Sequence, residues 1–221
     1  MNWSPFILSL KLALVSSLIL FAIGIPLCYS LSRKRTFFTS FFESLFTLPL
    51  ILPPSVLGFY LLICFKPDSP IGSFIKETIG LDVLFSFTGL VIASLLYSLP
   101  FMLSPILAAL NHFNKQLKEA SYSLGMSPFQ TFLKVELPLI KPAILSALVL
   151  TFAHTIGEFG VVLMIGGSIP GKTEVASIAL FNQVESLHYE QAHRYALILM
   201  SFSFMVLFLV NRFKNQSIIN A

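Results

Sequence analysis

Apolar residues in this chain run in long unbroken blocks and do not alternate with polar ones. Five blocks stand out, at about 6–31, 47–65, 83–110, 142–165 and 195–210. A continuous apolar run of about 20 residues can cross a bilayer as a helix, whereas a barrel strand would alternate. The pattern predicts an all-α integral membrane protein with about five transmembrane helices in a single domain, 1–221. One interval, about 111–141, is polar instead, and Lys115, Lys118, Glu119, Lys134, Glu136 and Lys141 crowd into and around it. Gly125 suits a helix end, because glycine takes the left-handed conformation without steric cost. Ser127-Pro128-Phe129-Gln130 then reads as a new helix start, with serine at the N-cap, proline at N1 and glutamine closing a capping box. Pro138 and Pro142 are expected to stop that helix. The prediction is a helix–turn–helix held between the third and fourth spans.

The spans themselves are uneven. The first carries Lys11 near one end, with Gly24 and Pro26 as a potential kink, and Trp3 suits the interface. The second holds Pro49, Pro53, Pro54 and Gly58 and cannot keep all its backbone hydrogen bonds. It reads either as a kinked, packed helix or as a broken helix lining a pathway, with Thr47, Pro49 and Ser55 on that pathway. The third is longer than a crossing needs, and Pro100 and Pro105 are expected to end or kink it. Between the last two spans, Val175, Ile178, Ala179, Phe181 and Val184 suggest a short amphipathic helix. The fifth span is a little short.

Composition agrees with a membrane protein. Of 221 residues, 56% are hydrophobic and 11% charged, too few charges for a soluble domain. The net charge of +4 matters through its placement. Arg33, Lys34, Arg35, Lys115, Lys118, Lys134, Lys141, Arg212 and Lys214 outnumber Lys66, Lys76, Lys172 and Arg194 on the opposite side. The richer side is expected to be cytoplasmic, which puts the N-terminus outside and the C-terminus and the 111–141 segment inside. Nothing in the distribution suggests nucleic acid. The N-terminus lacks a basic region ahead of its apolar run, so the first span is expected to stay in the protein. Cys28 and Cys64 lie in apolar runs and read as small hydrophobes rather than a disulfide pair.

Three features invite a chemical reading. Gly166 to Thr173 satisfies the pattern G-x-x-x-x-G-K-[ST], but a true P-loop follows a strand in an α/β domain, and this stretch follows a membrane helix. It reads as a glycine-rich outer turn rather than as an ATP site. Glu158 is the second feature, since a carboxylate within a span costs about 2.5–3.5 kcal/mol on insertion scales. His154, four residues earlier, is placed to face it across one helical turn. The pair, with Gly157, is expected to be structural or gating, with a proton relay as a further option. Direct contact with an anion is disfavoured by like charge. The third feature is the set of His112, His154, His188 and His193, which have no metal-site spacing. No catalytic constellation can be drawn, and neither an enzyme nor a bound cofactor is expected.

Two stretches carry a family resemblance. Glu119, Ala120, Gly125, Leu137 and Pro138 match the Glu-Ala-Ala-x-x-x-Gly … Ile-x-Leu-Pro signature of membrane subunits of ATP-binding-cassette importers, with Ser121 and Val135 as departures. The segment from Phe152 through Gly157, Glu158, Phe159 and Gly160 to Gly171, with Thr47–Pro54 and Val175–Ala179, resembles molybdate permeases of that class. Sulfate permeases share the Gly-Glu-[Phe/Tyr]-Gly core. The resemblance implies a type I importer permease fold, with Glu119, Ala120, Ser121, Gly125, Met126, Leu137 and Pro138 in a coupling segment. It also implies two ATPase subunits that bind ATP and Mg, a second copy of this chain, and an extracytoplasmic binding protein for molybdate or tungstate. The location implied is a bacterial-type plasma (inner) membrane, in contact with lipid. Sulfate transport, an ion-coupled secondary transporter and a membrane enzyme are the alternatives.

Overall fold

The computed structural model describes residues 2–33 and 36–219, without the side chains of residues 79 and 209–219. Lys34 and Arg35, and the side chains of Arg212 and Lys214, which the orientation argument used, lie outside the described residues. All regular elements among the described residues are helical. Among the described residues, three helices are long and apolar enough to cross a membrane, and two bent helix pairs raise the count to as many as five.

Helix α1, Ser4–Arg33, has 30 residues, about 45 Å at 1.5 Å per residue. Its buried stripe is mostly small or polar (Ser9, Ala13, Ser16, Ser17, Gly24, Cys28), while Ile7, Leu14, Leu18 and Ile23 are exposed. That is the inverse of a soluble helix. Small residues let backbones approach, and the large apolar ones face the hydrocarbon. A Cβ on Gly24 would sit 2.9 Å from Met102 Cγ of helix α5, Phe87–Asn111. Helix α9, Lys141–Gly157, completes the bundle against both. Leu20, Cys28, Met102, Leu103, Ile106 and Ala147 form the centre of its core. Cys28 and Cys64 are both free thiols.

Several boundaries differ from the sequence expectation. Pro100 and Pro105 lie inside α5 without ending it, and the helix starts at Phe87 because Ser86 caps it by accepting from the Gly89 N–H. The second apolar block holds a short 3₁₀ turn and one helix, and a further helix precedes it. Helix α2, Phe37–Thr47, was not foreseen; it runs through a short 3₁₀ turn, Leu48–Leu50, and is bent by 109° from α3, Pro54–Phe65. Pro49, Pro53 and Pro54 cluster at that bend. Helix α4, Pro70–Ile79, follows, with Ser69 as its cap and Gly80 left-handed at its end. The fourth block also breaks. Helix α9 ends at Gly157, and α10, Gly160–Gly166, restarts beyond Glu158 and Phe159. The short amphipathic helix is α11, Ala176–Glu185, and the last helix, α12, begins at Tyr189, earlier than the block suggested, and runs to Ile219.

Candidate functional site: a helix–turn–helix and a helix break

The polar interval folds as helix α6, Lys115–Ser123, followed by a turn and a second helical run. Asn114 caps α6 by accepting from the Gln116 N–H at 2.9 Å. Gly125 follows with φ +80°, the left-handed conformation its position calls for. Ser127 then makes the capping box: its hydroxyl accepts from the Gln130 N–H, and its own N–H donates to Gln130 Oε1 at 3.0 Å. Helix α7, Pro128–Thr131, passes into a π-helical turn, Phe132–Glu136, and then into α8, Leu137–Leu139.

Pro138 does not stop this run, contrary to expectation. It sits in the first turn of α8, just past a π-turn in which the Leu137 N–H already reaches back to the Phe132 carbonyl. That shifted register leaves room for a residue that has no N–H to give. The chain turns at Ile140 instead, by 71°, and Pro142 opens α9 rather than closing the helix before it.

Glu119, Ala120, Gly125 and Pro138 are exposed, and Met126 and Leu137 are half-buried. Around them Leu124 is 78% exposed and Phe129 57%, so the segment presents apolar side chains outward. Ser121 differs from the other residues of the signature. It is buried, and its hydroxyl lies 2.9 Å from that of Thr131, which is 0% exposed. The two hydroxyls join α6 to α7. Ser121→Ala is therefore expected to strand the Thr131 hydroxyl and to destabilise the segment by about 1–3 kcal/mol. Adding Thr131→Val should recover most of that loss, as a double-mutant thermal unfolding series would show.

Sequence reading counted Glu136 among the charges of this interval but gave it no role. Glu136, at the end of the π-turn, is 1% exposed. Its carboxylate accepts from both terminal nitrogens of Arg33 at 3.2 Å and pairs with Lys118 Nζ at 3.0 Å. The local signal was a lone carboxylate between apolar neighbours; its partners are too distant in sequence to be read from spacing.

The second candidate region surrounds the α9–α10 break. A cavity of about 550 Å³ is lined there by Ser55, Tyr97, His154, Gly157, Glu158 and Gly160, among others. Ser55, His154, Gly157 and Glu158 thus come together. Thr47 and Pro49 do not line it; Thr47 ends α2, where its hydroxyl donates back to the Glu43 carbonyl, and Pro49 lies in the 3₁₀ turn at the bend. Two glycines bring α3 against α10. A Cβ on Gly160 would lie 2.8 Å from Pro54 Cβ, and one on Gly58 would lie 2.8 Å from Met164 Cβ.

The expected pairing of His154 with Glu158 is not made. Spacing of i, i+4 brings side chains together only within a continuous helix, and the helix ends at Gly157. Glu158 is extended there (φ −66°, ψ 134°) and turns towards α5, where Ser94 donates to its Oε2 at 3.1 Å. It is 4% exposed, its carbonyl accepts from Ser177, and its Oε1 has no partner among the described residues. His154 meets Ser98 through Nδ1 at 3.0 Å and stacks on Phe101 with ring centroids 3.9 Å apart.

The stretch that mimics a P-loop folds as a closed turn. The N–H groups of Lys172, Thr173 and Glu174 all donate to the Ile169 carbonyl, and the Ile169 N–H donates to Thr173 Oγ1. Thr173 in turn donates to the Gly166 carbonyl at 2.7 Å. A phosphate cradle needs such N–H groups free and convergent; here they are spent within the turn.

Residues 19–215 match the family described as binding-protein-dependent transport system inner membrane component. The chain is 44% identical to the molybdenum transport system permease protein ModB of Azotobacter vinelandii, over 91% of this chain and 89% of that protein. It is 30% identical to a probable sulfate transport system permease protein, cysT, of Chlorella vulgaris, over 96% of this chain and 79% of the relative. Among solved structures it superposes on a chain of a bacterial ABC transporter involved in alginate import with a TM-score of 0.79, covering 96% of this chain and 78% of that one at 16% identity. The last likeness speaks for the fold alone. The family match across most of the chain, the relatives of nearly full coverage and the helical membrane architecture agree: this chain belongs to the family of inner membrane components of binding-protein-dependent transport systems.

Proposed function

We propose that this chain is the membrane-spanning permease subunit of an ATP-binding-cassette importer for molybdate, with tungstate as a second cargo. The observation that carries the reading is the 44% identity to a molybdenum permease, against 30% to a sulfate permease of similar coverage of this chain. In this reading two copies of the chain enclose the translocation pathway, and an extracytoplasmic binding protein delivers the oxyanion. Two ATPase subunits bind ATP and Mg and receive the 111–141 segment, on the cytoplasmic side. Glu119, Ala120, Gly125, Met126, Leu137 and Pro138 form the docking face, and the exposed Leu124 and Phe129 extend it. Nucleotide binding then biases a two-state element, and the segment carries the bias into the bundle. Residues around the α9–α10 break, Ser55, His154, Gly157 and Glu158, belong to the gate.

The sulfate reading rests on the sulfate permease relatives, which match over 96% and 94% of this chain. Uptake of labelled molybdate by cells lacking this chain and by cells with it restored separates the two. Restored uptake that a large excess of sulfate does not compete away supports molybdate, and full competition by sulfate overturns it. Lys172→Ala is expected to leave ATP hydrolysis by the assembled complex unchanged, because the nucleotide sites are on the partner subunits. Loss of hydrolysis would contradict that division of labour.

A further inference from the structure

The Glu136 carboxylate lies where three elements meet. Lys118 belongs to α6, Arg33 is the last residue of α1, and Glu136 itself closes the π-turn that leads into α8 and α9. Arg33 adds a hydrogen bond from Nη2 to the Pro128 carbonyl at 3.3 Å, at the start of α7. Its guanidinium also lies over the Tyr29 ring at 4.4 Å and near the Phe132 ring at 5.8 Å. The joint is therefore held from two sides: a two-pronged arginine, itself set against two aromatic rings, and a lysine meet on one buried carboxylate.

A buried carboxylate held by two cations resists displacement, because any slip leaves an unpaired charge out of water. Glu136 points inward, on the same side of the run as the buried Phe132 and Ile140, although Leu133, Lys134 and Pro138 nearby are exposed. Helix α1, tied at its end to this joint, packs along both α5 and α9.

We propose that Glu136 is the positioning residue that transmits motion of the coupling segment to the membrane bundle. Through Lys118 it takes up displacement of α6, and through Arg33 it passes that displacement to α1. The inference rests on the reading of the chain as an ATP-driven permease, and it adds the route by which the docking face reaches the pathway.

The test uses the chain assembled with its ATPase and binding protein in proteoliposomes. Molybdate uptake and ATP hydrolysis are measured together, and the readout is uptake per ATP. Glu136→Gln is expected to keep hydrolysis while uptake per ATP falls by at least about tenfold, since the variant removes the charge that both cations face. Lys118→Gln, on a partly exposed side chain, is expected to assemble normally and to lower the ratio by about three- to fivefold. Lys118→Arg, which keeps the charge, should hold the ratio near that of the unaltered chain. If Glu136→Gln does not assemble, Lys118→Gln decides alone. A Lys118→Gln complex with an unaltered ratio overturns the proposal. An unaltered chain that shows no ATP-dependent uptake overturns the importer reading itself, so the two failures are distinguishable.

Discussion

Gly125→Leu is expected to cut ATP-dependent oxyanion uptake by about tenfold or more while the chain still inserts and folds. Gly125 sits at φ +80°, and a Cβ built there meets no atom within 4 Å. Space within the chain is therefore not the constraint. A leucine must either hold a left-handed backbone at a cost of about 1–2 kcal/mol or reopen the turn between α6 and α7. Either way an extra apolar side chain stands on the face assigned to the ATPase. Gly125→Asn, which tolerates the left-handed region, should retain most of the uptake. Uptake and thermal unfolding of the purified subunit, measured side by side, check the prediction. Full uptake in the leucine variant would contradict the assignment of this turn to coupling.

Gly160→Val should have a comparable effect by a different route. The Cβ would lie 2.8 Å from Pro54 Cβ, between two stiff backbones, with neither end of the contact able to swing away. Overpacking of this kind costs about 1–3 kcal/mol, and here it would push α10 away from α3 and deform the cavity around Glu158. A lower unfolding temperature together with reduced uptake is the expected result, with Gly160→Ala intermediate in both. Unchanged unfolding of the valine variant would mean that α3 and α10 do not meet as described.

The helix–turn–helix was legible in the sequence because its chemistry is local. A left-handed glycine, a serine cap and a glutamine three residues later act within one or two turns, and each makes the bond its type implies. The proline cluster at 49, 53 and 54 likewise announced irregular backbone, although the 109° bend did not follow from it. The failures share another cause. The Glu158–His154 pairing presumed a helix that continues, and the break between Gly157 and Gly160 carries no proline to announce it. Pro138 was misjudged because a π-turn shifts the hydrogen-bond register ahead of it. Helix α2 hides in a phenylalanine-rich stretch with no buried residue, so no core stripe marks it. The three-way joint at Glu136 joins α1 to a segment 103 residues later, and no spacing rule reaches that far.

The most direct test of the importer reading is ATP hydrolysis by this chain reconstituted with its ATPase and binding protein, with molybdate, tungstate and sulfate compared. Stimulation by molybdate and tungstate but not by sulfate is the predicted result. Stimulation by sulfate alone would keep the transport mechanism and overturn the cargo. An assembled complex stimulated by none of the three would contradict the account at its centre, the coupling of the 111–141 segment to a partner ATPase.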